Sequence, residues 1–183
     1  MASILIAYDT GEGQTRKIAQ YMGYFVSRSG HDVQVIDIRR PPSGFSFDGI
    51  DAVLVGASIH LGKHSRHIVD FVGRHKARLE AAPTGFFSVS LSAGVEKQKA
   101  EAGRFLEEFL QKVDWSPTIK ATFAGGLLYR EYGFLKRWMM KKIARDAGKD
   151  TDTSKNHEYT DWQAVDGFVQ EFLAQLAHDQ ATE

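Results

Sequence analysis

The sequence predicts an α/β fold: a doubly wound sheet of five parallel strands in the order 2-1-3-4-5, with a basic amphipathic helical insertion before the last helix. Three observations predict it. Apolar runs without alternation recur between segments of helical period, as in a sheet buried on both faces. The first run enters a glycine loop that opens a helix. One stretch, 127–160, follows neither pattern.

The first strand is Ile4-Leu5-Ile6-Ala7-Tyr8, and Asp9-Thr10-Gly11-Glu12-Gly13-Gln14-Thr15 follows it. Gly11 and Gly13 let the chain turn tightly, and the helix that starts at Gln14 presents unpaired N–H groups and the positive end of its dipole. Thr10 and Thr15 add hydroxyls, so the loop suits a phosphate monoester. Each hydrogen bond to a charged group is worth about 1.5–3 kcal/mol, enough for converging donors to hold a dianion without a lysine. A P-loop is excluded by the missing Gly-Lys-Ser/Thr, and a dinucleotide fingerprint by Arg16 where its third glycine belongs, although Asp37 sits near the place of its ribose acid. Thr-x-x-Gly-x-Thr from Thr10 to Thr15 resembles the mononucleotide loop of flavodoxins; the alternative is an ordinary β–α turn.

Ile18, Tyr21, Met22, Phe25 and Val26 give the first helix its apolar stripe, and Gly30 ends it. Strand two is Val33–Ile38, and Pro41-Pro42-Ser43-Gly44 is a surface loop. Strand three is Ala52–Ala57, followed by a helix marked by Ile68, Phe71, Val72 and Leu79. Strand four, Gly85–Leu91, precedes a helix expected to bury Phe105, Leu106, Phe109 and Leu110. Strand five is Ile119–Gly125, and the last helix starts behind the N-cap Asp161 with Val165, Phe168, Val169, Phe172, Leu173 and Leu176 inward. Ligands of such sheets bind at the carboxyl ends beside strands one and three, where loops are expected to begin at Thr10, Ser58 and Ser88.

The 183 residues, 43% hydrophobic and 25% charged, fit one domain spanning 1–183, with 127–160 inserted within it. No cysteine occurs, so thiol relays, iron–sulfur clusters and cysteine zinc sites are excluded and redox chemistry requires a bound cofactor. A formal net charge of +0 argues against nucleic-acid binding and differs from the acidic surface of a diffusing electron carrier. No apolar run is long enough to span a membrane and Met1-Ala2-Ser3 leads straight into a strand, so a cytoplasmic location is expected.

Within the insertion, Leu135, Trp138, Met139 and Ile143 share one helical arc, while Arg137, Lys141 and Arg145 lie on another with Lys142 at the boundary. Such a helix either lies in an anionic membrane surface, where each cation contributes about 1 kcal/mol, or packs on the sheet with its basic face solvated.

Three segments together resemble the bacterial flavodoxin-type, quinone-dependent protoporphyrinogen oxidase (dehydrogenase) family: Tyr8–Ala19, Val55-Gly56-Ala57-Ser58-Ile59-His60-Leu61-Gly62, and Asp150-Thr151-Asp152-Thr153 with Tyr159-Thr160-Asp161-Trp162. The likeness covers nearly the whole chain, including Ala124-Gly125-Gly126-Leu127-Leu128-Tyr129; the first segment is generic to flavodoxins and the late one is restrictive. It implies an FMN enzyme that oxidises protoporphyrinogen IX to protoporphyrin IX in heme synthesis and passes electrons to menaquinone or ubiquinone, held peripherally on the cytoplasmic face of the inner membrane. The cofactor carries the redox chemistry and the protein supplies orientation and a dry pocket. The resemblance assigns Thr10, Gly11, Glu12, Gly13, Gln14 and Thr15 to the FMN phosphate, and Ser58, Ile59, His60, Leu61, Gly62 with Ser88, Val89, Ser90 and Leu91 to the flanks of the flavin ring. Glu12 stands where simpler flavodoxins carry a second hydroxyl, and is expected to point outward; His60 and Leu61 stand where a stacking Trp or Tyr is usual. Arg130, Lys136, Arg137, Trp138, Lys141 and Arg145 are candidates for substrate propionates or the membrane surface. No catalytic side chain is identifiable.

Two other functions fit parts of the pattern. A flavodoxin acting purely in electron transfer would share the loops but not need the insertion, and an NAD(P)H-fed quinone reductase would use Arg39 or Arg40 for a nucleotide phosphate. His60, His64 and His67 have the spacing of a metal turn but no carboxylate beside them, so no metal is expected. Asp150, Asp152, Glu158 and Asp161 lack calcium-loop spacing and are expected to cap and brace the turn before the last helix.

Overall fold

The computed structural model describes residues 1–127, 145, 152, 154 and 157–182. Three strands buried almost throughout form the middle of a sheet: β1 (Ser3–Asp9), β3 (Ala52–His60) and, after a short β4 (Lys63–His64), β5 (Thr84–Ser90). β2 (Asp32–Asp37) and β6 (Ile119–Ala124) are the edges, and all five long strands run parallel in the order β2-β1-β3-β5-β6. Counted without β4, this is the expected 2-1-3-4-5. The continuous apolar runs occupy the middle because helices cover both faces there, whereas β2 alternates between exposed and half-buried residues from Asp32 to Val35 and buries only Ile36.

Side chains leave a strand alternately, so β1 serves two cores. Ile4, Ile6 and Tyr8 pack with Ile18, Met22 and Val26 of α1 (Gln14–Arg28) and, in the last helix (Trp162–Thr182), Val165, Phe168, Val169 and Phe172. Leu5 and Ala7 face the opposite core, with Ile68, Phe71, Val72 and Leu79 of α2 (Arg66–Glu80) and Leu106, Phe109 and Leu110 of α3 (Lys99–Val113). The last helix is therefore α4. Asp161 caps it as expected, its Oδ1 accepting the Gln163 and Ala164 N–H groups at 3.0 and 3.1 Å.

Three expectations need correction. Strand three does not stop at Ala57 but runs to His60, because it pairs antiparallel with β4 in a tight hairpin (Ile59 with His64, His60 with Lys63). Phe105 is only half-buried: it leaves the α3 core stripe for the hairpin tip, where a Cβ built on Gly62 would lie 3.1 Å from its ring, and the Arg104 guanidinium sits 5.1 Å from the ring centroid. The stretch 127–160 also contributes to local sheet structure, for β7 (Gly126–Leu127) and β8 (His157–Glu158) pair antiparallel at its two ends. Residues 134–144, which carry most of the amphipathic pattern, lie outside the described residues; Arg145 is helical and exposed.

Phe172 is 1% exposed and packs in the α1–α4 core. Phe172→Ala is expected to lower unfolding free energy by about 3–5 kcal/mol, read from urea denaturation, through lost transfer energy and the cavity left behind.

Candidate functional site

β1 delivers Asp9 to the carboxyl edge of the sheet, and the four residues Thr10–Gly13 turn the chain into α1. Gly13, at φ 101°, is the N-cap and supplies no side-chain cap, so the first-turn amides of α1 receive no acceptor from their N-cap residue. Two hydroxyls shape the loop. Thr10 Oγ1 accepts the Gly13 N–H at 2.9 Å and keeps its own proton to donate, and Ser58 Oγ accepts the Gly11 N–H at 3.2 Å. Thr15 is 1% exposed, yet among the described residues its Oγ1 has no hydrogen-bond partner. A donor removed from water and left unmet, beside uncapped amides, fits an anionic oxygen that the protein itself does not supply. Gln14 is buried and Glu12 half-buried.

Opposite this loop stands the β3–β4 hairpin. Leu61 and Gly62 have φ of 50° and 75°, the paired positive values of a type I′ turn. Ser58, Ile59 and His60 thus belong to a strand, and only Leu61 and Gly62 form the turn. Leu61 is 90% exposed at the tip. His60 folds back towards the loop: its Nε2 lies 3.3 Å from Ser58 Oγ, and a Cβ placed on Gly11 would stand 2.2 Å from it. A side chain at position 11 would therefore have to displace the exposed His60 imidazole. In β5, Ser88, Val89 and Ser90 likewise lie inside the strand, since pairing with β6 continues to Ser90 and Ala124, and the turn starts at Leu91. Ser88 Oγ is bonded to His64 Nε2 at 2.9 Å, the Val89 side chain is in the α1–α4 core, and Ser90 Oγ accepts the Ala93 N–H at 3.1 Å. The loops expected at Ser58 and Ser88 begin later, because both strands outlast their apolar runs.

A buried carboxylate ties these loops together. Asp9 is fully buried; Arg39 Nε donates to its Oδ1 and the Ser65 hydroxyl to its Oδ2, each at 2.5 Å. Ser65 is the N-cap of α2 and accepts the His67 N–H at 3.1 Å. Arg39 is therefore committed to Asp9, which corrects the expectation that it is available to a nucleotide phosphate. Nothing in the sequence joins Asp9 to Arg39, though an Asp ending a buried apolar run signals a missing cation.

The three histidines do not form a metal turn. His64 is bonded to Ser88 and its ring lies 4.6 Å from that of Phe109, and among the described residues no group of three or more His, Cys, Asp or Glu could hold a metal. Burial pushes the His64 imidazole down to about 4, against a smaller upward pull from Asp9.

The late segment closes the site from the far side. Gln14 Nε2 donates to Thr160 Oγ1 at 2.9 Å, and the Thr160 hydroxyl donates to the Ala124 carbonyl at 2.7 Å. Lys17 pairs with Glu158, which also accepts from Trp162 Nε1 at 2.9 Å, and Lys17 Nζ lies 5.4 Å from the Trp162 ring centroid. Asp152 makes a local turn, its Oδ1 accepting the Ser154 N–H at 2.9 Å. Asp161 caps α4, so capping and bracing account for Asp152, Glu158 and Asp161; Asp150 lies outside the described residues, as do Arg130, Lys136, Arg137, Trp138 and Lys141.

Comparison with known proteins places this geometry. The flavodoxin domain family matches residues 5–154. Protoporphyrinogen IX dehydrogenase (quinone) of Escherichia coli (strain K12) is 35% identical over 168 residues, covering 91% of this chain and 92% of that protein. The protein of the same name from Leishmania major is 34% identical over 172 residues, 93% of this chain and 74% of its own length. Among solved structures, a cysteine-to-alanine mutant of flavodoxin from Pseudomonas aeruginosa superposes with a TM-score of 0.51 at 13% identity, covering 80% of this chain and 97% of that one, a likeness of fold.

The depressed His64 pKa makes stability pH-dependent. The unfolded imidazole takes up a proton near 6.5, and the folded one refuses it until about 4. Stability present above 6.5 is therefore expected to be lost as pH falls through that window, at up to ~1.4 kcal/mol per unit for this group. His64→Gln should flatten that part of the profile relative to the parent chain, measured as urea midpoint against pH.

Proposed function

Because this chain belongs to the flavodoxin domain family and is 35% identical over 91% of its length to a protoporphyrinogen IX dehydrogenase (quinone), we propose that it is that kind of oxidoreductase. It is an FMN-dependent enzyme that oxidises protoporphyrinogen IX to protoporphyrin IX, with a quinone as the final electron acceptor. The observation within the fold that best supports this reading is Thr15: a buried hydroxyl without a partner among the described residues, beside the start of α1, where sheets of this order take their ligands.

FMN supplies two-electron redox chemistry when bound. The chain's own residues seat and shield it. Thr10, Gln14 and Thr15 would hold the phosphate with neutral donors, Gly11 and Gly13, whose amides are taken by Ser58 and Thr10, would shape the loop around it, and Glu12 borders them. Ser58, Ile59, His60, Leu61 and Gly62 of the hairpin, with Ser90 and Leu91 after β5 and Ser88 and Val89 before them, would border the ring. Phe105, brought to the hairpin tip by α3, is an apolar group that the sequence pattern had placed in the core. His60 offers a titratable nitrogen beside this space, held by Ser58.

The protoporphyrinogen is apolar apart from its carboxylates, and menaquinone or ubiquinone resides in lipid, so the enzyme must work at a membrane face. The basic and aromatic arcs of 134–145 support a peripheral position on the cytoplasmic face of the inner membrane, with Arg130, Lys136, Arg137, Trp138, Lys141 and Arg145 meeting propionates or anionic headgroups. Among the described residues no helix is long and apolar enough to cross a membrane. The whole of 1–183 acts as one domain with 127–160 as its inserted part. For an NAD(P)H-fed reductase the engagement of Arg39 by buried Asp9 leaves exposed Arg40 as the arginine for a nucleotide phosphate.

Anaerobic addition of protoporphyrinogen IX to the FMN-loaded protein is expected to bleach the visible flavin absorbance, and NADPH to leave it unchanged; bleaching by NADPH alone would contradict the assignment. Deleting 134–145 is expected to abolish turnover with membrane-embedded quinone while retaining bound FMN. A deletion variant with full quinone-coupled activity would refute the membrane role.

A further inference from the structure

The restrictive late segment, Tyr159-Thr160-Asp161-Trp162, lies far from the phosphate loop in sequence, yet one of its side chains reaches it. Thr160 Oγ1 accepts from Gln14 Nε2 at 2.9 Å and donates to the Ala124 carbonyl at 2.7 Å. Its hydroxyl thus spends its proton on the end of β6 and one lone pair on the first residue of α1. Gln14 directly follows the left-handed N-cap Gly13, which itself offers no side chain to fix the start of the helix.

We infer that Thr160 is a positioning residue for the phosphate seat: by fixing the Gln14 side chain against the end of β6, it orients the uncapped first turn of α1. This rests on the FMN reading above. Three neighbouring contacts hold the same bracket. Tyr159 N–H donates to the Gly125 carbonyl at 3.1 Å, β7 pairs with β8 immediately before it, and Glu158 pairs with Lys17 one turn along α1. Gly126 is part of the fit, since a Cβ there would lie 2.9 Å from the His157 carbonyl and 3.5 Å from Gln14 Oε1. The segment that closes 127–160 is therefore built onto the helix start that meets the anion. A phosphate seat made of neutral donors depends on their direction, because a hydrogen bond weakens steeply as its angle departs from linear.

The test separates orientation of the phosphate seat from general damage by using a ligand without phosphate. FMN and riboflavin are titrated by flavin fluorescence into the parent chain, Thr160→Val and Thr160→Ser. Thr160→Val keeps shape and removes the hydroxyl. It is expected to weaken FMN about tenfold, the weight of one hydrogen bond to a charged group, and to change riboflavin affinity less than twofold. Thr160→Ser should restore the parent value. Equal losses for both flavins, no loss for either, or a serine variant as weak as the valine one would overturn the inference. Gln14→Met provides the second arm: combined with Thr160→Val it should weaken FMN no further than the weaker-binding single variant, and additive losses would show that the two residues act separately. If the parent chain itself takes no FMN, it is the proposed function that fails; if it binds FMN and Thr160→Val is unaltered, the positioning role alone fails.

Discussion

A buried hydroxyl that finds no partner costs about 1–3 kcal/mol, and the first turn of α1 carries such a group in Thr15, which has no partner among the described residues. An anionic ligand oxygen at the start of α1 would complete it. The rest of the site follows from that demand. The N-cap is Gly13, which offers no competing oxygen, so the first-turn amides of α1 stay available. Ser58 and Thr10 spend their oxygens on shaping the loop backbone. Of the cations nearby, Lys17 pairs with Glu158 and Arg39 with Asp9, while the Arg16 guanidinium stands 3.5 Å from where a Gly13 Cβ would lie, next to the seat's neutral donors.

Burial of the sheet decides where this can occur. β1 is covered on both faces, so its loop emerges only at the carboxyl edge, where β3 continues as a hairpin and β2 hands over Arg39. Asp9 draws these pieces together by accepting from Arg39 and from the Ser65 cap of α2. A fully buried carboxylate of this kind is fixed by its partners, since losing one would leave an uncompensated charge in the core. The same edge keeps His64 uncharged near neutrality, bonded to Ser88 beneath the hairpin.

Much of this was legible in the residues. Continuous apolar runs identified the central strands, helical spacing identified the faces that α1 to α4 bury, and Thr10 to Thr15 marked the loop. Asp161 was readable as an N-cap because its chemistry is local. The misses share a cause, in that each depends on a partner distant in sequence or on backbone geometry. Leu61-Gly62 lacks the Asn-Gly or Asp-Gly signature of its turn type, so the hairpin was read as a loop and Ser58 as its start. Phe105 fits the α3 stripe by spacing but is turned to the hairpin tip. Arg39 and Thr160 carried no local sign of their partners Asp9 and Gln14, thirty and 146 positions away.

The short β7–β8 ladder and the Gln14–Thr160 bond hold residues 157–160 beside the α1 start, which gives a physical reason for the late motif to accompany the glycine loop in one chain. The account turns on the neutral-donor seat, and a crystal structure of the FMN-loaded protein tests it most directly. The phosphate is predicted within hydrogen-bond distance of Thr15 Oγ1 and the first-turn amides of α1. A phosphate bound elsewhere, with Thr15 Oγ1 still unpaired, would contradict it.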